Sequence, residues 1–279
     1  MNAPTISLAS RMPQWVGALV RGLLIALLAV AIFGPLFNML IWTVAEAWYF
    51  PNKLPLRWGF LFWGRVFRPE AGAMIALWTS ITIALMTVVF SLLVSIPAGY
   101  ALSRRTLPLR SFFLLVFLLP QAFPAIAVHM NIARIFYTIG LNGTIWGVML
   151  VHAIQGLVFS VWIASASFAA VNQEQVEAAR NLGASPWRAF MNVSLPLAAP
   201  GLMASAIFVF LISLDEFSGT FFVGVPDVRT LPLTMLNAAL EGNYQIASIT
   251  ALLLLVPSIL FMLCVEKFLK ADVLAKVGT

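Results

Sequence analysis

The chain has 279 residues, of which 62% are hydrophobic and 9% are charged, and its mean hydropathy is +0.98. A soluble domain usually carries about 25% charged residues, so the composition excludes a soluble protein and indicates an integral membrane protein. The net charge of +6 does not indicate binding to nucleic acid, because the basic residues lie at the ends of apolar runs and form no basic stripe.

Six apolar runs are each long enough for one bilayer crossing, which needs about 20 residues. They predict an all-α integral membrane protein with six transmembrane helices in a single domain over residues 1–279. The predicted helices span residues 16–45, 74–103, 111–137, 143–169, 197–223 and 246–268. The first run is too long for the core of a signal peptide, so we expect it to remain as an anchor helix. Cys264 is the only cysteine, so no intrachain disulfide is possible.

The positions of the basic residues predict the orientation of the chain. Placing both termini in the cytoplasm puts most of the lysine and arginine side chains on the cytoplasmic side. The strongest local signal is the short hairpin at residues 103–110, where Arg104, Arg105 and Arg110 lie together. The polar segment at residues 172–193 then also faces the cytoplasm.

Two outer segments are candidates to receive something delivered from outside. In the first, residues 48–70, the aromatic core at residues 58–63 suits a piece lying along the outer membrane surface. That piece can be an aromatic belt or a contact for a partner. The second candidate is the loop at residues 226–232.

Residues 172–193 form a polar segment between the fourth and fifth runs. Asn172 can cap a helix that carries Glu177, and Gly183 can end that helix in a left-handed conformation. Ser185, which a proline follows, predicts a capped restart. Two helices that meet at a glycine have a shape suited to docking into a partner protein.

The sequence contains no motif of nucleotide binding or hydrolytic catalysis. The patterns GxxxxGK[ST], HExxH and GxSxG do not occur. His129 and His152 stand alone on apolar helices, where a hydrogen-bonded packing role is more frequent than metal ligation. We therefore expect no catalytic residue, no metal site and no enzyme activity in this chain.

Asp215 and Glu216 lie late in the fifth run, in the outer half of the membrane. A charged group at the centre of a membrane helix costs about 2.5–3.5 kcal/mol on insertion scales, so something must offset that cost. One explanation is that both acids line a water-filled translocation pathway. The alternative is that one acid pairs with a basic residue, such as Arg134 or Arg229, while the other extends to the outer interface.

The polar segment resembles the EAA loop of permease subunits in binding-protein-dependent ABC importers. The matching residues are Glu177-Ala178-Ala179, Gly183 four residues later, and Leu195-Pro196 twelve residues after Gly183. Residues 80–84, residues 97–104 and Leu119-Pro120 resemble the second and third helices of that family. The stretch Ser213-Leu214-Asp215-Glu216-Phe217, with Phe221-Phe222 and Thr230-Leu231-Pro232, is similar to the branch that imports spermidine and putrescine. Importers of iron, phosphonates and sugars share parts of this pattern.

The resemblance implies a division of roles among subunits. In that family two permease subunits enclose the pathway, two cytoplasmic ATP-binding subunits receive the EAA helices, and a soluble binding protein delivers the substrate outside. We call residues 172–193 the coupling loop, and the resemblance implies that Glu177, Ala178, Ala179 and Gly183 couple to the ATPase. It also implies that ATP and magnesium are bound by the partner ATPase, so that this chain carries no cofactor. The bacterial inner membrane is the expected location.

Two other classes of membrane protein remain open from the sequence. An ion-coupled secondary transporter would favour inverted repeats and broken helices near the membrane midplane, which the sequence does not show. A purely structural membrane protein would not need acids inside the membrane. The leading expectation is an ATP-driven importer of a polyamine or a similar small organic solute, whose second permease subunit is identical or homologous to this one.

Overall fold

The computed structural model describes residues 14–103 and 108–277, with side chains over residues 15–103 and 108–267. Arg104 and Arg105 therefore lie outside the described residues. Among the described residues, five helices are long and apolar enough to cross a membrane, and a bent pair of helices makes a sixth crossing when the two helices are counted as one span. The elements are α1 (Gln14–Thr43), β1 (Ala45–Ala47), β2 (Arg57–Trp58), α2 (Leu61–Val66), α3 (Ala73–Ser103), α4 (Arg110–Leu118), α5 (Ala125–Thr138), α6 (Ile145–Ala169), α7 (Gln173–Asn181), α8 (Pro186–Ala189), α9 (Leu195–Asp215), α10 (Ser218–Val223), α11 (Leu231–Leu240) and α12 (Tyr244–Val277).

Helices α3, α6 and α9 form the centre of the bundle. They approach closely at small residues, because Gly99 of α3 lies against Ala164 of α6 and Gly156 of α6 lies against Val209 of α9. A buried hydroxyl in this core bonds to its own helix, as Thr87 Oγ1 donates to a carbonyl one turn earlier at 2.8 Å. Such bonds satisfy the hydroxyl where water is absent.

The first crossing and the segment after it lie at the edge of the bundle. The most apolar stretch of α1 is not buried by the rest of the chain, and the helix packs along α12. β1 and β2 pair antiparallel, so a short hairpin precedes the aromatic piece predicted at residues 58–63. Arg57 donates to Glu46 Oε2 at 2.9 Å, and this hydrogen bond holds the pKa of the Glu46 carboxyl below its ordinary value.

The third crossing is broken near its middle. α4 and α5 are joined by a 3₁₀ turn (Leu119–Ala122) and meet at an angle of 97°. Phe123 is extended, at φ −112° and ψ 150°, because the residue before a proline is disfavoured in the helical region and Pro124 follows it. The prediction of one helix over residues 111–137 is therefore wrong.

The fifth crossing is also broken, at the two acids. Helical backbone runs from Pro186 through a π-helical turn (Phe190–Ser194) to Asp215. Glu216 then leaves the helix at φ −78° and ψ 114°, and α10 begins at Ser218. The prediction of one helix over residues 197–223 is therefore wrong at this point. The end of the coupling loop, by contrast, continues directly into the fifth crossing.

The close approach of α3 and α6 generates a prediction about stability. A methyl group on Gly99 would lie 2.5 Å from Ala164 Cβ and 2.8 Å from the Ala164 carbonyl carbon. We expect Gly99→Ala to lower the free energy of unfolding by about 1–3 kcal/mol, as overpacking usually does, and to lower the melting temperature of the solubilised protein. Gly22→Ala is the matched control, since a methyl group there meets nothing within 4 Å. An unchanged melting temperature in Gly99→Ala would contradict the close packing.

Candidate functional site

The first helix of the coupling loop has a complete cap at each end. Asn172 Oδ1 accepts a hydrogen bond from Glu174 N at 2.9 Å at the start of α7. At the other end Gly183 N donates to the Arg180 carbonyl at 3.0 Å, and the next amide donates to the Ala179 carbonyl at 3.1 Å. Gly183 has φ +90°, so these two bonds form a Schellman motif with glycine in the position that favours it. The predicted cap and glycine break are both confirmed.

The chain restarts as a helix directly after the glycine. Ser185 Oγ accepts a hydrogen bond from Arg188 N at 3.3 Å, and Pro186 occupies the first helical position. The predicted capped restart is therefore confirmed. Because α8 runs through the π-helical turn into α9, the coupling loop and the fifth crossing share one continuous helical backbone.

Apolar side chains hold the coupling loop against the bundle. Val176 of α7 and Ala189 of α8 are buried in one cluster with Phe168 of α6. Tyr100 of α3 meets Phe168 edge-on at 5.3 Å between ring centroids, and meets Phe190 at 4.8 Å. The loop is thus fixed to the ends of α3 and α6.

The opposite face of the coupling loop is exposed in this subunit. Glu177, Ala178 and Gly183 are exposed, and Ala179 is half-buried. Leu182 and Trp187 are also 89% and 68% exposed, although both are large and apolar. Leu182 and Trp187 were not predicted as site residues, and the signal that could have found them is their apolar character within a polar segment.

The break in the fifth crossing is held by Glu216. Its Oε1 accepts a hydrogen bond from Ser218 Oγ at 2.6 Å and another from Gly219 N at 2.9 Å. The carboxylate therefore caps the first turn of α10, and this cap explains why the helix stops at Asp215 and restarts at Ser218. Hydropathy did not reveal it, because apolar residues predominate over residues 197–223 as a whole and so indicate one continuous crossing.

Two buried histidines surround the break. His129 Nδ1, from α5, lies 2.7 Å from Ser218 Oγ and 3.7 Å from Glu216 Oε1. His152, from α6, reaches across the break: its Nδ1 lies 2.9 Å from Ser213 Oγ and its Nε2 lies 3.1 Å from Thr220 Oγ1. The predicted hydrogen-bonded packing role of both histidines is confirmed. Their position beside the acids was not predicted.

The two acids differ in their surroundings. Asp215 is exposed in this subunit, whereas the side chain of Glu216 is only 9% exposed. Among the described side chains, neither acid forms an ion pair with Arg134 or Arg229. The ionisable side chain that lies close to the Glu216 carboxylate is the imidazole of His129. Over the same residues, no group of three His, Cys, Asp or Glu side chains is placed to hold a metal ion.

A cavity of about 760 Å³ opens at the end of the bundle opposite the coupling loop. It is lined by the starts of α3, α6 and α12, by α11, and by the loop that was predicted at residues 226–232. Asp227, Arg229 and Glu241 bring charges of both signs to its wall. Within that loop, Asp227 and Arg229 are exposed while Thr230 is buried.

Residues 91–271, more than half of the chain, match the family of the binding-protein-dependent transport system inner membrane component. The chain belongs to this family. It is a multi-pass inner-membrane permease subunit of an ABC importer. Broken helices would also suit an ion-coupled transporter, but the family match decides in favour of the importer.

Relatives of this permease subunit have various substrates in their names. A 2-aminoethylphosphonate transport system permease protein of Salmonella choleraesuis is 28% identical over 264 residues, which cover 93% of this chain and 98% of that protein. The trehalose transport system permease protein of Mycobacterium tuberculosis is 32% identical over 175 residues, 63% of this chain and 60% of that protein.

Solved structures share the fold of the permease subunit at low sequence identity. A chain of a bacterial ABC transporter involved in the import of the acidic polysaccharide alginate superimposes with a TM-score of 0.69 at 19% identity. That match covers 95% of this chain and 99% of the other. A chain of a methionine ABC transporter in an inward-facing conformation has a TM-score of 0.60 at 16% identity, covering 74% and 98% of the two chains.

Proposed function

We propose that this permease subunit forms half of a pathway through which ATP hydrolysis drives the import of a small organic solute that carries an ammonium group. The other half is a second permease subunit, two cytoplasmic ATP-binding subunits supply ATP and magnesium binding, and a soluble protein delivers the solute from outside. Both termini lie in the cytoplasm. The single observation that carries the proposed role in an ATP-driven importer is the capped coupling loop that exposes Leu182 and Trp187.

The exposed face of the coupling loop supports docking to an ATPase. Leu182 and Trp187 bring apolar area to a surface that would face water in an isolated subunit, and such patches mark protein contacts. Glu177 adds a charge that can orient the partner, since interface charges contribute specificity more than affinity. Small side chains at Ala178 and Ala179 let the loop approach closely. The cluster around Phe168 then passes the movement into α6.

Asp215 at the break supports a cationic group on the solute. Asp215 lies at the C-terminal end of α9, where the helix dipole already disfavours a negative charge. A passing ammonium ion would relieve that repulsion, and the attraction exceeds its value in water where the pathway is partly dry. Polyamines carry such a group, and so does 2-aminoethylphosphonate, which the relative from Salmonella has in its name.

The first prediction concerns coupling. A left-handed conformation costs an L-residue about 1–2 kcal/mol, so Gly183→Val should change the angle of the loop and lower uptake per assembled complex about tenfold. Glu177→Lys should lower uptake as well, because it reverses a charge at the proposed dock. The measurement is ATP-driven uptake in proteoliposomes, normalised to the amount of assembled complex.

Gly140→Val is the matched control for Gly183→Val. Gly140 has φ +75° and lies in the turn between α5 and α6, at the other end of the bundle. A Cβ atom added at Gly140 or Gly183 would meet nothing within 4 Å, so backbone strain is the common factor. Gly140→Val should retain uptake. Wild-type uptake in both Gly183→Val and Glu177→Lys would contradict the coupling role.

The second prediction concerns the partner subunits. We expect the purified chain to hydrolyse no ATP, because its sequence has no GxxxxGK[ST] loop. Uptake should require ATP and the ATP-binding subunits but no ion gradient. Hydrolysis that follows this chain through every purification step, and that persists once contaminating ATPases are removed, would contradict the assignment.

The third prediction concerns the charge of the solute. The double variant Asp215→Asn, Glu216→Gln keeps the side-chain shapes but removes both charges. Loss of a hydrogen bond to a charged group costs about 1.5–3 kcal/mol, so uptake of putrescine or 2-aminoethylphosphonate per assembled complex should fall about tenfold or more. Unchanged uptake, with only a smaller amount of assembled complex, would show that the acids are structural.

A further inference from the structure

We propose that the two acids have different roles. Asp215 faces the pathway and meets the solute. Glu216 is a positioning residue, which His129 holds in place through Ser218, and it fixes the break so that Asp215 points towards the solute. The inference rests on the proposed function, since it assumes that a pathway runs past the break. One acid thus meets the solute, and the other shapes the site.

The division follows first from the available hydrogen-bond donors. Glu216 Oε1 accepts hydrogen bonds from both Ser218 Oγ and Gly219 N, which are two donors in the first turn of α10. Asp215 therefore cannot use these donors, and no hydrogen bond connects its carboxylate to the described residues around it. An exposed carboxylate at the end of α9 with no internal partner is free to accept a hydrogen bond from a solute.

The direction of the hydrogen bonds follows from counting protons. The Ser218 hydroxyl has one proton, and it donates this proton to Glu216. His129 Nδ1, at 2.7 Å, must therefore donate its own proton to Ser218 Oγ. Gln155 Nε2, which can only donate, lies 3.4 Å from His129 Nε2, so Nε2 accepts this bond and the ring is neutral. The hydrogen bonds therefore run in one direction, from Gln155 through His129 and Ser218 to the Glu216 carboxylate. Hydrogen bonds in such a series polarise and strengthen one another.

The second histidine fixes the break from the other side. His152 bonds Ser213 before the break and Thr220 after it, so one imidazole spans the interruption. Ser213 Oγ in turn lies 3.5 Å from Thr87 Oγ1 of α3. Three neighbouring crossings thus hold the ends of α9 and α10 in place. Because Asp215 is the last residue of α9, its direction is set by this frame.

Thiol labelling tests which acid faces water. Cys264 is the only cysteine and is exposed, so the variants are made in a Cys264→Ala background and assembled with the partner subunits. We expect Asp215→Cys to react with a membrane-impermeant methanethiosulfonate reagent, and Glu216→Cys to react at least about tenfold more slowly, because thiol reactivity follows exposure. Equal rates at the two positions, or no reaction at Asp215→Cys because that residue faces lipid, would overturn the proposal.

Substitutions of His129 test positioning separately from stability. His129→Leu removes the donor to Ser218 and should lower the labelling rate at Asp215→Cys about threefold or more, since labelling follows exposure. His129→Asn places an amide N–H close to the position of Nδ1 and should restore the rate. The rate is measured per molecule, so a purely structural role, which lowers only the amount of complex, would leave it unchanged and would overturn the proposal.

Uptake measurements complete the test. Asp215→Asn should lower uptake of putrescine or 2-aminoethylphosphonate per assembled complex about tenfold, whereas Glu216→Gln, which retains an acceptor for Ser218 and Gly219, should stay within about threefold. The reverse order would overturn the division of roles. Labelling needs no transport. If the labelling pattern holds but no complex takes up solute with ATP, the proposed function fails and the geometry stands.

Discussion

A bilayer offers no water to backbone N–H and C=O groups, and this constraint decides where the permease subunit can bend. The third crossing bends at Pro120 and Pro124, where the backbone lacks donors in any case. The fifth crossing bends at Glu216, whose carboxylate supplies the acceptor that the start of α10 needs. His129 follows the first bend and reaches Ser218 after the second, so one side chain ties the two interruptions together.

Helix α6 connects the polar break to the coupling loop. His152 and Gln155 meet the break at one level of the helix, and Phe168 packs against the loop at another. Sixteen residues separate His152 from Phe168, which corresponds to about 24 Å of helix at 1.5 Å per residue. This part of α6 lies in the closely packed centre that α6 forms with α3 and α9. Because close packing passes strain from one element to the next, α6 is the route by which the proposed coupling would reach the break.

Structures with the same fold as this permease subunit have low sequence identity to it. An alginate importer chain shares the fold at 19% identity, so most of the frame tolerates different side chains. Function resides in sites placed on a common fold. In this chain we propose two such sites, which are the exposed face of the coupling loop, and the acids at the break together with the histidines beside them.

Local pattern alone determined the membrane class, the six crossings and the capped helices around Gly183, because hydropathy, glycine and capping residues act over a few neighbouring positions. It also placed Asp215 and Glu216 inside a crossing and assigned hydrogen-bonded packing to the histidines. Only the tertiary structure decided that the crossing stops between the two acids, and that His129, 89 residues before Ser218 in the chain, closes the network. The physical reason is that Ser218 Oγ, an acceptor buried in the membrane, takes its donor from His129 on a helix that packs beside it, and sequence spacing does not record which helix that is.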